Sequence, residues 1–183
     1  MVVREPESQF VPAPAGVHAA VCVDEVDLGE LPNRFQPDAN PVRTVRLVWQ
    51  IAEAMPKDGK PYLIKKDYRA SLHEKAALRK DLESWRGRPF SFDELVGFDL
   101  ENIIGAPCMM NIVHKQGSKG GTFANIAAIM PLPEGMVKLD PRDYVRVKDR
   151  AEPPKLVSVP RSHQPDSENF PPHGEFDDDD VPF

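Results

Sequence analysis

The chain has 183 residues, including 20 prolines and 11 glycines, and a formal net charge of −6. This length allows one domain of about 100–150 residues with extensions, and no apolar run approaches the roughly 20 residues of a membrane span. The polar N-terminal residues lack the apolar region of a signal peptide, and the two cysteines have no metal or redox spacing. We therefore expect a cytoplasmic protein without a disulfide framework.

The acidic charge is concentrated near the C-terminus. Residues 151–183 contain eight acidic and two basic side chains, so they carry the whole net charge of −6 and residues 1–150 are neutral. Within the neutral part, residues 43–88 contain twelve Lys and Arg against six Asp and Glu. A basic surface and an acidic segment on one chain can screen each other or compete for a ligand.

Five segments have the alternation or composition of β-strands. They are residues 16–27, 43–52, 62–70, 107–115 and 122–130. A loop rich in proline and asparagine joins the first two at 28–42, a glycine-rich hairpin loop joins the last two at 116–121, and an edge strand is expected at 144–147.

Between the third and fourth strands the apolar period changes to that of a helix. Ser71 and Glu74 form a capping-box pattern, an apolar stripe ends at Trp85, and Gly87 stands at the usual position after a helix. A second capping-box pattern at 91–94 predicts a shorter helix.

The order of three strands, a helix and two strands predicts an OB-fold, a mainly β, five-stranded Greek-key barrel. Ligands of this fold lie across strands two and three and between the 1–2 and 4–5 loops. The expected divisions are an irregular arm at 1–15, the OB-fold domain at 16–150, and a disordered, proline-rich acidic tail at 151–183.

The last seven residues, hereafter the tip, combine charge with an apolar end. Four adjacent carboxylates repel one another and stay in water, and a valine, a proline and a phenylalanine follow them. A basic pocket on a partner can pair with the aspartates while an apolar socket takes the phenyl ring. Acidic termini also aid solubility, but solubility does not require a terminal Pro-Phe. The candidate partner-binding residues are Asp177, Asp178, Asp179, Asp180, Val181, Pro182 and Phe183.

The tip, Asp177–Phe183, resembles the acidic C-terminal tip of bacterial single-stranded-DNA-binding proteins. The resemblance implies that an OB-fold body binds and protects single-stranded DNA and that the tip recruits replication, recombination and repair enzymes. The body looks more like the phage or prophage members than the standard bacterial ones. That implies a role in phage DNA replication or recombination in the bacterial host cytoplasm or nucleoid, and allows a homo-oligomer.

Sequence-tolerant binding of a single strand needs cations along its backbone and aromatic faces for its bases. The strands and loops that line the ligand groove of an OB-fold supply both types. The candidate DNA-binding residues are Arg43, Arg46, Trp49, Tyr62, Lys65, Lys66, Tyr68, Arg69, Lys115, Lys119 and Phe123.

Several candidates have a structural alternative. Trp49 lies on the same face of its predicted strand as the apolar residues, which favours a place in the core over contact with DNA. The alternation of the strand does not decide whether Tyr62 and Tyr68 pack in the core or stack on DNA bases. The role of Phe123 is open in the same way. The cations of the third strand could form an ordinary solvated face, although cations in neighbouring elements favour DNA.

The sequence predicts no enzyme, no metal site and no cofactor. The five histidines are scattered, Cys22 and Cys108 lie in predicted strands as small core residues, and Lys119 in the 116–121 loop precedes its glycines, unlike a phosphate-binding loop. Two further hypotheses concern proteins. The chain could be an interaction protein whose tip occupies enzyme pockets without DNA binding, or a scaffold that binds only protein.

Overall fold

The structure, a computed structural model, describes residues 11–33, 39–55, 57, 59–117 and 121–150. Most of the arm expected at 1–15 and all of the tail expected at 151–183 lie outside the described residues. The partner-binding role of the tip therefore stays a prediction. Its residues, all outside the described ranges, are Asp177, Asp178, Asp179, Asp180, Val181, Pro182 and Phe183.

The five predicted strands are confirmed and form one antiparallel sheet. They are β1 (Gly16–Leu31), β2 (Val42–Ala54), β3 (Pro61–Arg69), β4 (Pro107–Gln116) and β5 (Thr122–Met130). Their order across the sheet is β3-β2-β1-β4-β5, so β1 is central and β3 and β5 are the edges.

The central strand β1 is long because it serves two partners. Its first residues, Gly16 to Val21, pair with β4, and the register with β2 runs from Ala20 to Leu31. The pairing with β2 shifts register twice, and Gly29 (φ 69°) lies in the second shift, where its left-handed backbone favours glycine. Such bulges bend the strand and let it take part in both halves of the sheet.

The prediction of a closed barrel is wrong. Residues of β3 and β5 approach one another, but no hydrogen-bonded ladder joins these strands among the described residues. The chain before β1 lies in this region: Ala13 is buried in the core, its carbonyl oxygen is 2.8 Å from His114 Nε2, and it lines a groove together with residues of both edge strands. The sheet is therefore open between its two edges.

The first helix, α1 (Ala77–Arg86), begins later than the sequence predicts. The expected capping box at Ser71 and Glu74 is wrong, because Ala76 is the N-cap and Ser71 Oγ instead accepts a turn hydrogen bond from the His73 amide at 3.2 Å. The predicted end is confirmed, with Gly87 left-handed at φ 66°.

The second helix, α2 (Phe92–Val96), has the predicted capping box, formed by Ser91 and Glu94. Two short 3-10 turns follow in the chain at Leu100–Ile103 and Val147–Asp149. The edge strand expected at 144–147 is absent from the described residues, and this part of the chain is irregular before the second 3-10 turn. None of the described helices is long and apolar enough to span a membrane.

The main core lies between one face of the sheet and α1. The apolar face of β2 packs with Leu78, Leu82 and Trp85 of the helix, and the Trp49 and Trp85 ring centroids are 6.0 Å apart. The helix also ties the two edges together, because Asp81 accepts from Tyr68 Oη at 2.7 Å while Ser84 Oγ donates to the Ile129 carbonyl at 2.6 Å.

A smaller apolar cluster lies apart from the main core. Val21, Val23 and Val48 are buried there under Leu139 and Tyr144. Residues 139–150, hereafter the strap, thus cover part of the sheet although they form no strand of it.

Candidate nucleic-acid interface

Three of the predicted DNA-binding aromatics lie in the core. Trp49, Tyr62 and Tyr68 are only 0%, 7% and 2% exposed. Trp49 is on the face that its parity favours, and the two tyrosines alternate with exposed residues of β3 on the same buried side as Ile64. All three are therefore core residues, although Tyr62 and Tyr68 also each line a groove in the protein surface, and their contact with DNA stays a prediction.

At least six of the twelve basic side chains between residues 43 and 88 are engaged in ion pairs. Arg43 binds Asp27 at 2.6 Å, Arg46 binds Asp67 at 2.6 and 2.9 Å, and Lys66 binds Asp81 at 2.6 Å. The hydrogen bond from Arg43 is the main cause that lowers the pKa of Asp27. Further along, Arg79 pairs with Glu83, and Arg86 and Arg88 share Glu94. The sequence therefore overstates the free positive charge of this region.

Lys65 and Lys66 lie on opposite faces of β3. Lys66 pairs across the sheet with Leu47 and its Nζ is 5.1 Å from the Tyr68 ring centroid, beside α1. Lys65 pairs with Val48 and is exposed, and Arg69 pairs with Thr44 on that same face. Only Lys65 and Arg69 of this predicted trio therefore present their charge away from the main core.

Two arginines stand out because their side chains have no partner among the described residues. The structure describes nine arginines. Seven of them donate hydrogen bonds or form ion pairs through the guanidinium, and the two that do not are Arg69 and Arg142. Each of these two lines a groove in the protein surface.

The Arg69 groove has a volume of about 920 Å³ and lies where β1 ends, β2 begins and β3 leads toward α1. Its polar lining includes Thr44, Ser71, His73 and Lys75 beside Arg69. His73 Nδ1 accepts from the Lys75 amide at 3.2 Å, which fixes the turn that carries both side chains. The lining also includes the Asp67 carboxylate, which is paired with Arg46. Imidazole, ammonium and guanidinium groups in one groove suit a phosphate.

The Phe123 groove has a volume of about 490 Å³ and lies between the edge strands β3 and β5. Leu63 and Lys65 line it from β3, Phe123 from β5, and Arg142 and Tyr144 from the strap. Phe123 is 51% exposed and Leu63 40%. An exposed aromatic ring beside cations can bind a nucleotide, the ring by stacking on the base and the cations by contacting the phosphate.

Phe123 lies over glycines of the 4–5 hairpin. A Cβ added at Gly117 would be 2.5 Å from Phe123 Cε2, and one at Gly121 would be 3.3 Å from the same atom. Lys115 is the direct cross-strand neighbour of Phe123 and has no ion-pair partner among the described residues. The predicted DNA-binding residue Lys119 lies outside the described residues.

The strap is anchored by a fully buried carboxylate. Asp24 accepts hydrogen bonds from Tyr144 Oη at 2.9 Å, Arg146 Nε at 3.1 Å and the Val147 amide at 2.8 Å. Arg146 also donates to both carboxylate oxygens of Glu101, at 2.6 and 3.0 Å. Burial and the bond to Asp24 raise the pKa of Tyr144 to about 12, so its hydroxyl stays protonated and donating. These acidic residues have a structural role.

The two cysteines are not activated as nucleophiles. Cys22 and Cys108 are buried free thiols, and burial raises the pKa of each to about 12. Among the described residues no cluster of His, Cys, Asp and Glu could hold a metal ion.

Sequence reasoning singled out Lys65, Arg69 and Phe123, which line the grooves, but missed Arg142, His73 and Lys75. No local pattern marks Arg142, because its position depends on contacts with a strand 92 residues earlier in the chain. No protein-family model and no curated protein matches this chain.

Proposed function

We propose that the protein binds single-stranded DNA without sequence preference and protects it during phage DNA replication or recombination. The observation that carries this proposal is that Arg69 and Arg142, the two described arginines whose guanidinium groups have no partner among the described residues, line grooves adjoining β3, one of them beside the exposed ring of Phe123. Phosphate contacts with stacking platforms, and few directional contacts to base edges, favour sequence-tolerant binding.

The two grooves adjoin opposite ends of β3. Residues 61–65 of β3 line the Phe123 groove and residues 67–69 line the Arg69 groove, so the two grooves together follow the whole strand, which at about 3.3 Å per residue is roughly 30 Å long. A single strand that follows β3 would meet Lys65 and Arg69 on the same face of this strand. This length is compatible with the roughly 4–16 nucleotides that OB-folds cover.

The proposed fold is an open relative of the OB-fold. The order β3-β2-β1-β4-β5, the helix between β3 and β4, and the approach of β3 to β5 support it. The difference from the barrel is the missing ladder between β3 and β5, and the Phe123 groove occupies that position.

The tip, Asp177–Phe183, is proposed to recruit replication, recombination and repair enzymes. Support comes from its four aspartates followed by a valine, a proline and a terminal phenylalanine, which together offer charge and one apolar anchor. Recruitment would then be independent of the grooves in the body.

The alternative is an interaction protein that uses the tip without binding DNA. It is favoured by the ion pairs of Arg43, Arg46, Lys66, Arg79, Arg86 and Arg88, which neutralise half of the twelve basic side chains in residues 43–88. A measurement of DNA binding distinguishes the two functions, because only the first requires it.

The decisive measurement is the fluorescence anisotropy of labelled oligo-dT titrated with the full chain over a salt series, with duplex of equal length as competitor. We expect binding that salt weakens and that duplex hardly affects. Replacing Lys65 and Arg69 together by alanine should weaken it, whereas Lys80→Ala, on the exposed side of α1, should not. Absence of binding at low salt, with the tip also deleted, would leave the interaction protein as the function.

A further inference from the structure

We propose that the strap supplies a DNA-phosphate-binding residue, Arg142, to the Phe123 groove, and that Gln50 positions it. The inference rests on the proposed function, because the ligand is the backbone of a DNA single strand. It assigns a binding role to a segment, residues 139–150, that otherwise only covers the sheet.

The backbone of Arg142 is held by one side chain of β2. Gln50, only 2% exposed, accepts from the Arg142 amide at 2.7 Å and donates through Nε2 to the Arg142 carbonyl oxygen. A buried primary amide that satisfies both backbone groups of one residue fixes that residue in position and register. The polar atoms of Gln50 are used in this contact, which explains why a polar residue stands in the buried part of β2.

The chain turns sharply directly after this contact. Asp143 has φ 53°, the left-handed conformation that aspartate tolerates better than most residues. The turn brings Tyr144 back toward the sheet, where its hydroxyl donates to buried Asp24. Arg142 is therefore fixed on one side by Gln50 and on the other by the Asp24 anchor.

The strap contains three arginines, and two of them are used structurally. Arg146 forms ion pairs with Asp24 and Glu101. Arg150 donates through Nε to the Val145 carbonyl oxygen at 3.0 Å, and its guanidinium lies 5.5 Å from the Tyr144 ring centroid. Arg142 has no side-chain partner among the described residues and lines the groove. An arginine with a fixed backbone and a free guanidinium is suited to bind an incoming phosphate with two hydrogen bonds.

The neighbours of Arg142 in the groove complete a nucleotide-sized site. Lys65 adds a second cation from β3, and Phe123 and Leu63 add exposed apolar surface for a base. Asp143 is the one carboxylate among the described residues that line the groove, and the cations there outnumber it. A phosphate near Arg142 and Lys65 would place its base toward Phe123.

The test compares Arg142→Ala and Arg142→Lys with Lys138→Ala, which removes an exposed charge close to the strap but outside the groove lining. Anisotropy of labelled oligo-dT is measured with the full chain at several salt concentrations. The logarithm of the binding constant falls linearly with the logarithm of the salt concentration, and loss of one phosphate contact should make this slope shallower by about 0.7. Affinity at low salt should fall about tenfold for Arg142→Ala, and Arg142→Lys should retain most of the slope. Lys138→Ala should change neither quantity.

The positioning role of Gln50 is tested with a separate variant. Gln50→Leu keeps a side chain of similar size but releases the Arg142 backbone, so it should weaken DNA binding and speed hydrogen exchange at the Arg142 amide. In the Gln50→Leu background, Arg142→Ala should cost less than it does alone, because the guanidinium is no longer held in place. Fully additive effects would overturn the positioning role.

The experiments distinguish a failure of the proposed DNA binding from a failure of the role of Arg142. If the unsubstituted chain binds oligo-dT, and Arg69→Ala weakens that binding while Arg142→Ala changes neither affinity nor salt slope, Arg142 is not a phosphate ligand and the proposed function stands. If the unsubstituted chain does not bind single-stranded DNA at any salt concentration, the proposed function fails first and the role of Arg142 with it.

Discussion

At the scale of single residues, glycine allows the Phe123 ring to lie against the hairpin. A Cβ at Gly117 would come 2.5 Å from Phe123 Cε2, whereas one at Gly97 would meet nothing within 4 Å. Gly97 has φ −172°, extended backbone that any residue adopts. We expect Gly117→Ala to displace the ring and to weaken oligo-dT binding by up to about 1–3 kcal/mol, the range for one stacked base.

Two further variants make this prediction specific to the ring. Phe123→Ala removes the stacking surface itself and should weaken binding at least as much as Gly117→Ala. Gly97→Ala should bind like the unsubstituted chain, and urea unfolding of each variant checks that the fold is retained. Unchanged affinity for both Gly117→Ala and Phe123→Ala would show that no base stacks on this ring.

The two thiols are expected to be inert in the folded protein. Cys22 and Cys108 are both 0% exposed, and burial raises the pKa of each to about 12, so the reactive thiolate is scarce at neutral pH. A thiol reagent that gives a coloured product should detect no thiol in the native state and both in denaturant. Rapid reaction of either thiol before unfolding would contradict the buried placement.

At the scale of elements, the strap and the first 3-10 turn are joined by a pH-dependent ion pair. Arg146 chiefly, and then Lys148, hydrogen-bond to Glu101 and lower its pKa from 4.5 to about 2. Because the folded pKa lies below the unfolded one, the charged Glu101 stabilises the folded state above about pH 4.5. That contribution is lost as the pH falls toward about 2.

Glu101→Gln should therefore lower the urea midpoint most near neutral pH. The difference in midpoint from the unsubstituted chain should shrink steadily as the pH falls from about 4.5 toward about 2, because protonation removes the same charge. Glu134→Gln is the matched control, since Glu134 is exposed and has no ion-pair partner among the described residues. A midpoint difference for Glu101→Gln that stays constant over this range would contradict the ion pair.

The regular elements could be predicted because their signals are local. Alternation located β2, and a stripe of apolar residues located α1, although the start of α1 was misplaced because Ser71 caps only a turn. Residues 144–147 alternate as a strand would, yet Tyr144 and Arg146 bond to the side chain of Asp24. Side-chain partners 92 to 122 residues away leave no local pattern, so the strap and Arg142 could not be predicted.

At the scale of the whole molecule, ion pairs leave less positive charge available to a ligand than the sequence suggests. Twelve basic residues between 43 and 88 suggest a broad cationic surface, but six of them are paired with carboxylates. The groove-lining cations that have no carboxylate partner among the described residues include Lys65, Arg69 and Arg142. If the protein binds DNA as proposed, the contact involves few phosphates, so an acidic segment of the same chain would compete effectively with DNA.

That competitor is on the same chain. Residues 151–183 carry a charge of −6, four units of which come from Asp177 to Asp180. Deleting residues 177–183 should therefore raise the affinity for oligo-dT at low salt and have little effect at about 1 M salt, where the Debye length is about 3 Å. Alanine at Val181, Pro182 and Phe183 keeps the aspartates, so this variant should bind DNA like the full chain while losing protein partners. Equal low-salt affinity of the full and shortened chains would show that the tail does not compete, and partner recruitment would then be its only role.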